Sequence, residues 1–175
     1  MKRPLYIERA LFVVGDQNSG KSTQLRSMFT DLRFGTNGVI PETKRIKGTV
    51  VLSTDRALHL RLTSPHEYED TPETFLREIE RKTVEGRWCF ACALQPEAFK
   101  GMLGLKQTVR SFIKHFSPDR VRICLLSPNR HGRTDSRAED FSKQFWDEDG
   151  VEFVCIDARH RTTNGSFLAD FFDFT

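Results

Sequence analysis

The chain has 175 residues, with 27 Lys and Arg against 24 Asp and Glu and a formal charge of +3. That balance is too small to require nucleic acid or an acidic membrane as a partner, and no stretch is long and apolar enough to span a bilayer. Hydrophobic residues at 38% and charged residues at 29% suit one globular domain, long enough to bury a core without disulfides or metals.

The opening Met1-Lys2-Arg3-Pro4 is basic, but Glu8 and Arg9 interrupt the apolar residues behind it. A signal peptide is therefore not expected, and the cytoplasm is the default location. Residues 11–14 form a short apolar strand. Residues 21–33 follow as a helix with Leu25, Met28, Phe29 and Leu32 on one face. Residues 34–47, with two glycines and a proline, read as a loop. Two strand-like runs, 49–53 and 58–63, flank the short turn Thr54-Asp55-Arg56. A turn of that length joins antiparallel strands, since a parallel pair needs a crossover of a dozen or more residues.

A polar loop at 64–70 leads to Thr71, a helix cap, with Pro72 at the first helical position. Phe75, Leu76 and Ile79 supply that helix's buried stripe. A strand at 87–94 precedes a long helix over 96–116 carrying Phe99, Met102, Phe112, Ile113 and Phe116. A strand at 121–126 follows. Ser136 and Glu139 have capping-box spacing ahead of a helix bearing Phe141 and Phe145. A strand at 151–156 and a helix at 166–174, with Phe167, Phe171 and Phe174 on its stripe, complete the chain; Phe172 falls off that stripe, where a partner contact or an ordinary surface position both fit. The pattern predicts an α/β fold: a six-stranded, mostly parallel sheet with one antiparallel hairpin, in a three-layer arrangement. Cys89, Cys92, Cys124 and Cys155 all lie in apolar strand-like runs. Cys89 and Cys92, three apart on a strand, point to opposite faces and cannot share a ligand, so four buried reduced thiols are expected.

Gly15-Asp16-Gln17-Asn18-Ser19-Gly20-Lys21-Ser22 matches G-x-x-x-x-G-K-[ST], with an apolar strand running into it and a periodic helix, opening Lys21-Ser22-Thr23, running out. The glycines let the backbone curl its N–H groups toward phosphate oxygens. Lys21 then reaches the β- and γ-phosphates, and the Ser22 hydroxyl ligates Mg²⁺.

The order of elements resembles that of Ras-like small GTPases, P-loop NTPases whose second and third strands form a hairpin. The likeness covers nearly the whole chain as topology and loop position. It implies a Ras-like strand order and a Mg²⁺-dependent switch binding a nucleoside triphosphate, GTP ahead of ATP. It also implies a protein effector or regulator. Thr43 is the best-placed first-switch threonine for Mg²⁺, with Thr36 and Thr49 as alternatives. Beside it Lys44, Arg45 and Lys47 form a basic loop, facing either an acidic partner or solvent.

After the third strand, the family's D-x-x-G is replaced by Leu62-Thr63-Ser64-Pro65-His66-Glu67. His66 falls where a water-positioning residue stands. Asn129-Arg130-His131-Gly132 occupies the place of N-K-x-D, with glycine for the base-reading aspartate and Asp135 nearby. Asp157-Ala158-Arg159 stands where the last base-contacting loop does. These departures imply slow or partner-dependent hydrolysis. Two other readings stay open. One is a small phosphotransferase similar to thymidylate-kinase-like enzymes, using Lys21-Ser22-Thr23-Gln24, Asp55-Arg56 and a lid of Arg130, Arg133 and Arg137. The other is a module that binds nucleotide without hydrolysing it.

Overall fold

The computed structural model describes residues 5–174; the basic start at residues 1–4 lies outside them. The described residues form six strands and five α-helices: β1 (Leu5–Val14), α1 (Lys21–Ser27), β2 (Thr49–Ser53), β3 (Arg56–Arg61), α2 (Pro72–Lys82), β4 (Gly86–Leu94), α3 (Leu105–Phe116), β5 (Arg120–Leu126), α4 (Ala138–Lys143), β6 (Val151–Ile156) and α5 (Arg161–Ala169). The strands make one sheet in the order β2-β3-β4-β1-β5-β6. Only β2 and β3 pair antiparallel; every other neighbouring pair is parallel. The α/β class and the single hairpin agree with the sequence. The Ras-like strand order does not hold: β4 stands between β1 and β3, so the strand feeding the glycine-rich segment borders β4 and β5, not the hairpin.

Alternation along β1 divides the interior into two layers. Leu11 and Val13 face one side with Leu25 of α1, Met28 just after it and Leu168 of α5. Ala10, Phe12 and Val14 face the other with Phe75 of α2, Phe112 of α3 and Phe141 of α4. On the second side Phe12, Phe90 and Phe112 meet at ring separations of 5.2–5.9 Å, edge-on and offset geometries that aromatic quadrupoles favour. The crossovers from β3 to β4, β4 to β5 and β5 to β6 all step the same way along the sheet. Their helices all pack on that one face, as a single crossover hand requires.

Element ends differ from expectation where local chemistry intervenes. The first helix stops at Ser27 and continues as two 3-10 turns, Met28–Thr30 and Leu32–Phe34. Asp31 between them is extended, and its carboxylate accepts from the Arg33 amide, a local cap that competes with helix. The third helix starts at Leu105 instead of residue 96, because Lys100 and Gly101 are left-handed and Phe99 and Met102 close a bridged turn there. Ser136 does not cap α4; the capping box forms instead at α2, between Thr71 and Thr74. The last helix covers Arg161–Ala169, and Phe172 is fully buried, which removes it as an exposed contact.

Cys89 and Cys92 lie in opposite core layers, as their spacing demands. Burial pushes the thiols of Cys89, Cys92 and Cys124 up to about 12. Cys155 departs from the expectation of four buried thiols, being exposed. No helix among the described residues is long and apolar enough to cross a membrane.

Candidate functional site

The chain leaves β1 toward the hairpin side of the sheet and leaves β5 toward β6. The carboxyl ends of these two neighbours are therefore the place where its path diverges, the usual position of a ligand crevice in an open α/β sheet. Residues 15–20 leave β1 there, and residues 127–137 leave β5 beside them.

The 15–20 loop curls tightly. Gly15 donates its amide to Leu94 O at 3.2 Å, and Ser19 donates back to Asp16 O at 3.2 Å. Asn18 and Gly20 both take positive φ, 60° and 107°, which glycine and asparagine tolerate best. A Cβ on Gly15 would lie 2.4 Å from Ser19 Oγ, so a larger residue there would require the Ser19 side chain to move. Ser19 Oγ is itself buried without a hydrogen-bond partner, an arrangement that native structures seldom leave unexplained. Arg130 donates its amide to Ser19 O at 3.1 Å. Its stem packs over Gly20, where an added Cβ would meet Arg130 Cβ at 3.3 Å.

Lys21 opens α1 and is 5% exposed. Its ammonium folds back to donate to Asp16 O at 2.7 Å. Burial pulls its pKa below the ordinary lysine value, while the carboxylates of Glu67 and Asp16 act in the other direction. Ser22 is exposed and Thr23 half-buried on the same first turn.

Two cavities flank this loop and share Asn18. The smaller, about 240 Å³, is lined by Lys21, Ser22, Thr43, Thr63, Glu67 and Arg130, among others. Thr43 reaches it on a 3-10 turn, Thr43–Arg45, within an exposed loop. That loop touches α1 where Arg26 Nη2 donates to Pro41 O at 3.3 Å. The larger cavity, about 660 Å³, lies between Gly15–Ser19 and the loop after β5, with Asn129, His131, Arg133 and Arg137 on its walls. Arg137 ties the two loops together. Its guanidinium meets Asp16 at 3.0 Å, Asp135 at 2.8 Å and Glu97 at 2.9 Å.

The other expected residues are placed differently. His66 is fully buried. Its Nε2 lies 2.9 Å from Leu103 O and its Nδ1 3.0 Å from Ser64 Oγ. A carbonyl only accepts, so Nε2 carries the proton and the Ser64 hydroxyl donates to Nδ1. Both ring nitrogens are thus engaged, and the ring presents no edge to a water. Asn129 Oδ1 accepts from the amides of His131 and Arg133, so it shapes its own loop. Asp135 is consumed by Arg137, which holds its carboxyl below the usual range. Asp157 is likewise held low by Arg159. Ala158 is pinned from both sides: its amide donates to Pro128 O at 2.9 Å, and its carbonyl accepts from Gln24 at 2.7 Å. Asn129 and Asp157 do not line one cavity.

The sequence assigned no role to Glu67 and placed Gln24 only in the phosphotransferase-like run that opens α1. Glu67 was legible only as an acid near a motif it does not match. Buried Gln24, bonded to Asn164 and Ala158, ties α1 to the loop after β6, and a lone helical glutamine carries no signal of that. Asp55 and Arg56 sit at the far end of the sheet, where Asp55 meets Arg87 at the start of β4. Among the described residues no group of three or more His, Cys, Asp or Glu side chains could hold a metal by itself. No family model, curated protein or solved structure matches this chain.

Proposed function

We propose that this chain binds the phosphates of a nucleoside triphosphate, with Mg²⁺, in the cavity over Lys21 and works as a nucleotide-dependent switch with slow turnover. The observation that carries the reading is one of convergence. Thr43, far from Lys21 and Ser22 in sequence and on a separate loop, lines the same small cavity as they do. A lysine and two hydroxyls around a curled, glycine-dependent backbone are the groups phosphate and a hard cation need. The orphaned Ser19 Oγ and the positive φ of Asn18 and Gly20 fit a loop built to close on an anion. A volume of about 240 Å³ suits phosphates rather than a whole nucleotide. The nucleoside then extends outward past Arg130. The Ser22 and Thr43 hydroxyls would hold Mg²⁺ brought in with the triphosphate, and the ion would supply charge neutralisation at the phosphates.

Asn129, Asp135 and Asp157 are spent on neighbouring groups, so the proposal extends to guanine and adenine nucleotides alike. The phosphotransferase reading loses its acceptor side, since Asp55-Arg56 stands at the opposite end of the sheet from Lys21. Titration with fluorescent GTP and ATP analogues, with and without Mg²⁺, tests the proposal. Mg²⁺-dependent binding is expected, weakened at least ~10-fold by Lys21→Ala, the loss of one charge-assisted contact. Ser22→Ala and Thr43→Ala should chiefly reduce the Mg²⁺ dependence. A folded protein that binds neither analogue overturns it.

A further inference from the structure

The cavity that holds Lys21, Ser22 and Thr43 has one carboxylate on its wall, that of Glu67. The end of β3 leads there without the expected aspartate: Leu62 stands in its place, and the acid arrives five residues later on the 3-10 turn Pro65–Tyr68. That turn is firmly held. Glu67 donates its amide to Ser64 O at 3.0 Å, and Asp70 donates to Pro65 O at 3.2 Å. Buried His66 pins the turn from below, bridging Ser64 Oγ and the Leu103 carbonyl that precedes α3. The Glu67 side chain is exposed to the cavity, and among the described residues no hydrogen bond or ion pair occupies its carboxylate. Two neighbours in sequence therefore divide the work. His66 faces inward and fixes the backbone, while Glu67 faces the site with free acceptor oxygens.

Resting on the phosphate-binding reading, we propose that Glu67 is the general base for hydrolysis in this cavity, with His66 its positioning residue. A water between Glu67 and the γ-phosphate gives its proton to the carboxylate while its oxygen bonds to phosphorus. The bond from phosphorus to the β,γ-bridging oxygen breaks, and its electron pair leaves with the nucleoside diphosphate. The proton then passes from Glu67 to the released phosphate, restoring the carboxylate. A carboxylate whose acceptor oxygens are unoccupied can take the proton while the lysine holds the phosphate charge.

Single-turnover hydrolysis and fluorescent-nucleotide binding in Mg²⁺, on wild type and Glu67→Gln, separate the possibilities. Glu67 is exposed, so the substitution leaves the fold intact, which circular dichroism checks. The expected result is turnover reduced ~100-fold or more, within the range of lost general-base catalysis. Triphosphate affinity should be unchanged or up to ~10-fold tighter, because a negative charge beside the γ-phosphate has gone. Three results overturn the assignment while leaving nucleotide binding standing: unchanged turnover in Glu67→Gln, binding without turnover in wild type, or a loss of Mg²⁺-dependent affinity in the variant, which would make Glu67 a metal ligand. Absence of nucleotide binding in wild type overturns both readings together.

Discussion

His66 illustrates how burial decides a residue's chemistry. Desolvation by the surrounding protein holds its pKa below the ordinary 6.5, and nearby Lys21 pushes the same way. His59, buried on β3 beside the Phe90 ring with Nδ1 against Gly48 O, is lowered for the same first reason. As pH falls below 6.5, the unfolded chain takes up protons that these two folded rings refuse. Stability is therefore complete above 6.5 and is lost as pH drops through the folded values. Each withheld proton tilts the balance by about 1.4 kcal/mol per pH unit. Urea midpoints should fall between pH 7.5 and pH 5.5, and His66→Gln should flatten part of that slope. A slope identical in variant and wild type would mean that His66 protonates freely in the native state.

Contact between α1 and α5 shows an element-scale constraint. Gly165 lies mid-helix, where glycine costs about 1 kcal/mol relative to alanine. A Cβ there would lie 2.2 Å from Ser27 O and 2.7 Å from Ser27 C. Neither atom is a flexible side-chain tip, so the helices themselves would have to part. Gly165→Ala should destabilise by roughly 2–3 kcal/mol despite its better helix propensity, read as a lowered urea midpoint with native secondary structure at zero denaturant. Most elements were legible because their signals are local: the apolar runs that end β1 and fill β4, the Thr71-Pro72 start of α2, the short polar turn closing β2 and β3. The early start expected for α3 and the late one for α5 failed where apolar spacing continued through residues bent by other contacts. Phe99, on the expected helical stripe, is 51% exposed. Strand order carried no local signal at all. The run of Cys89, Phe90 and Ala91 suits any central strand, and its place between β1 and β3 is set by the pairing of entire strands. The glycine-rich loop could be read from eight consecutive residues and Thr43 from its place ahead of the second strand, whereas Glu67 on the cavity's far wall stands at a spacing that follows no motif.

At the scale of the molecule, the sheet has two unlike ends. At the amino ends of the strands, buried Glu8 meets Arg56 at 3.1 Å and Arg87 at 2.9 Å, and Arg56 also donates to the carbonyl of Asp173. This network fastens the chain's last described residues to β1 and β3, in an interior where an unpaired charge would be costly. At the carboxyl ends, polar loops meet around the open cavities instead. The loop that carries Thr43 is exposed along Glu42, Thr43, Lys44, Arg45 and Lys47. Three of those residues precede bonds that trypsin cuts, and exposed loop tips are where proteases nick folded chains. The basic loop is therefore a built-in reporter of site occupancy. Trypsin should cleave after Lys44, Arg45 or Lys47 first in the nucleotide-free protein, giving two fragments of unequal size. Triphosphate with Mg²⁺ should slow that cut several-fold, while diphosphate protects less. Equal cleavage rates in all three conditions would mean that Thr43 takes no part in holding the ligand.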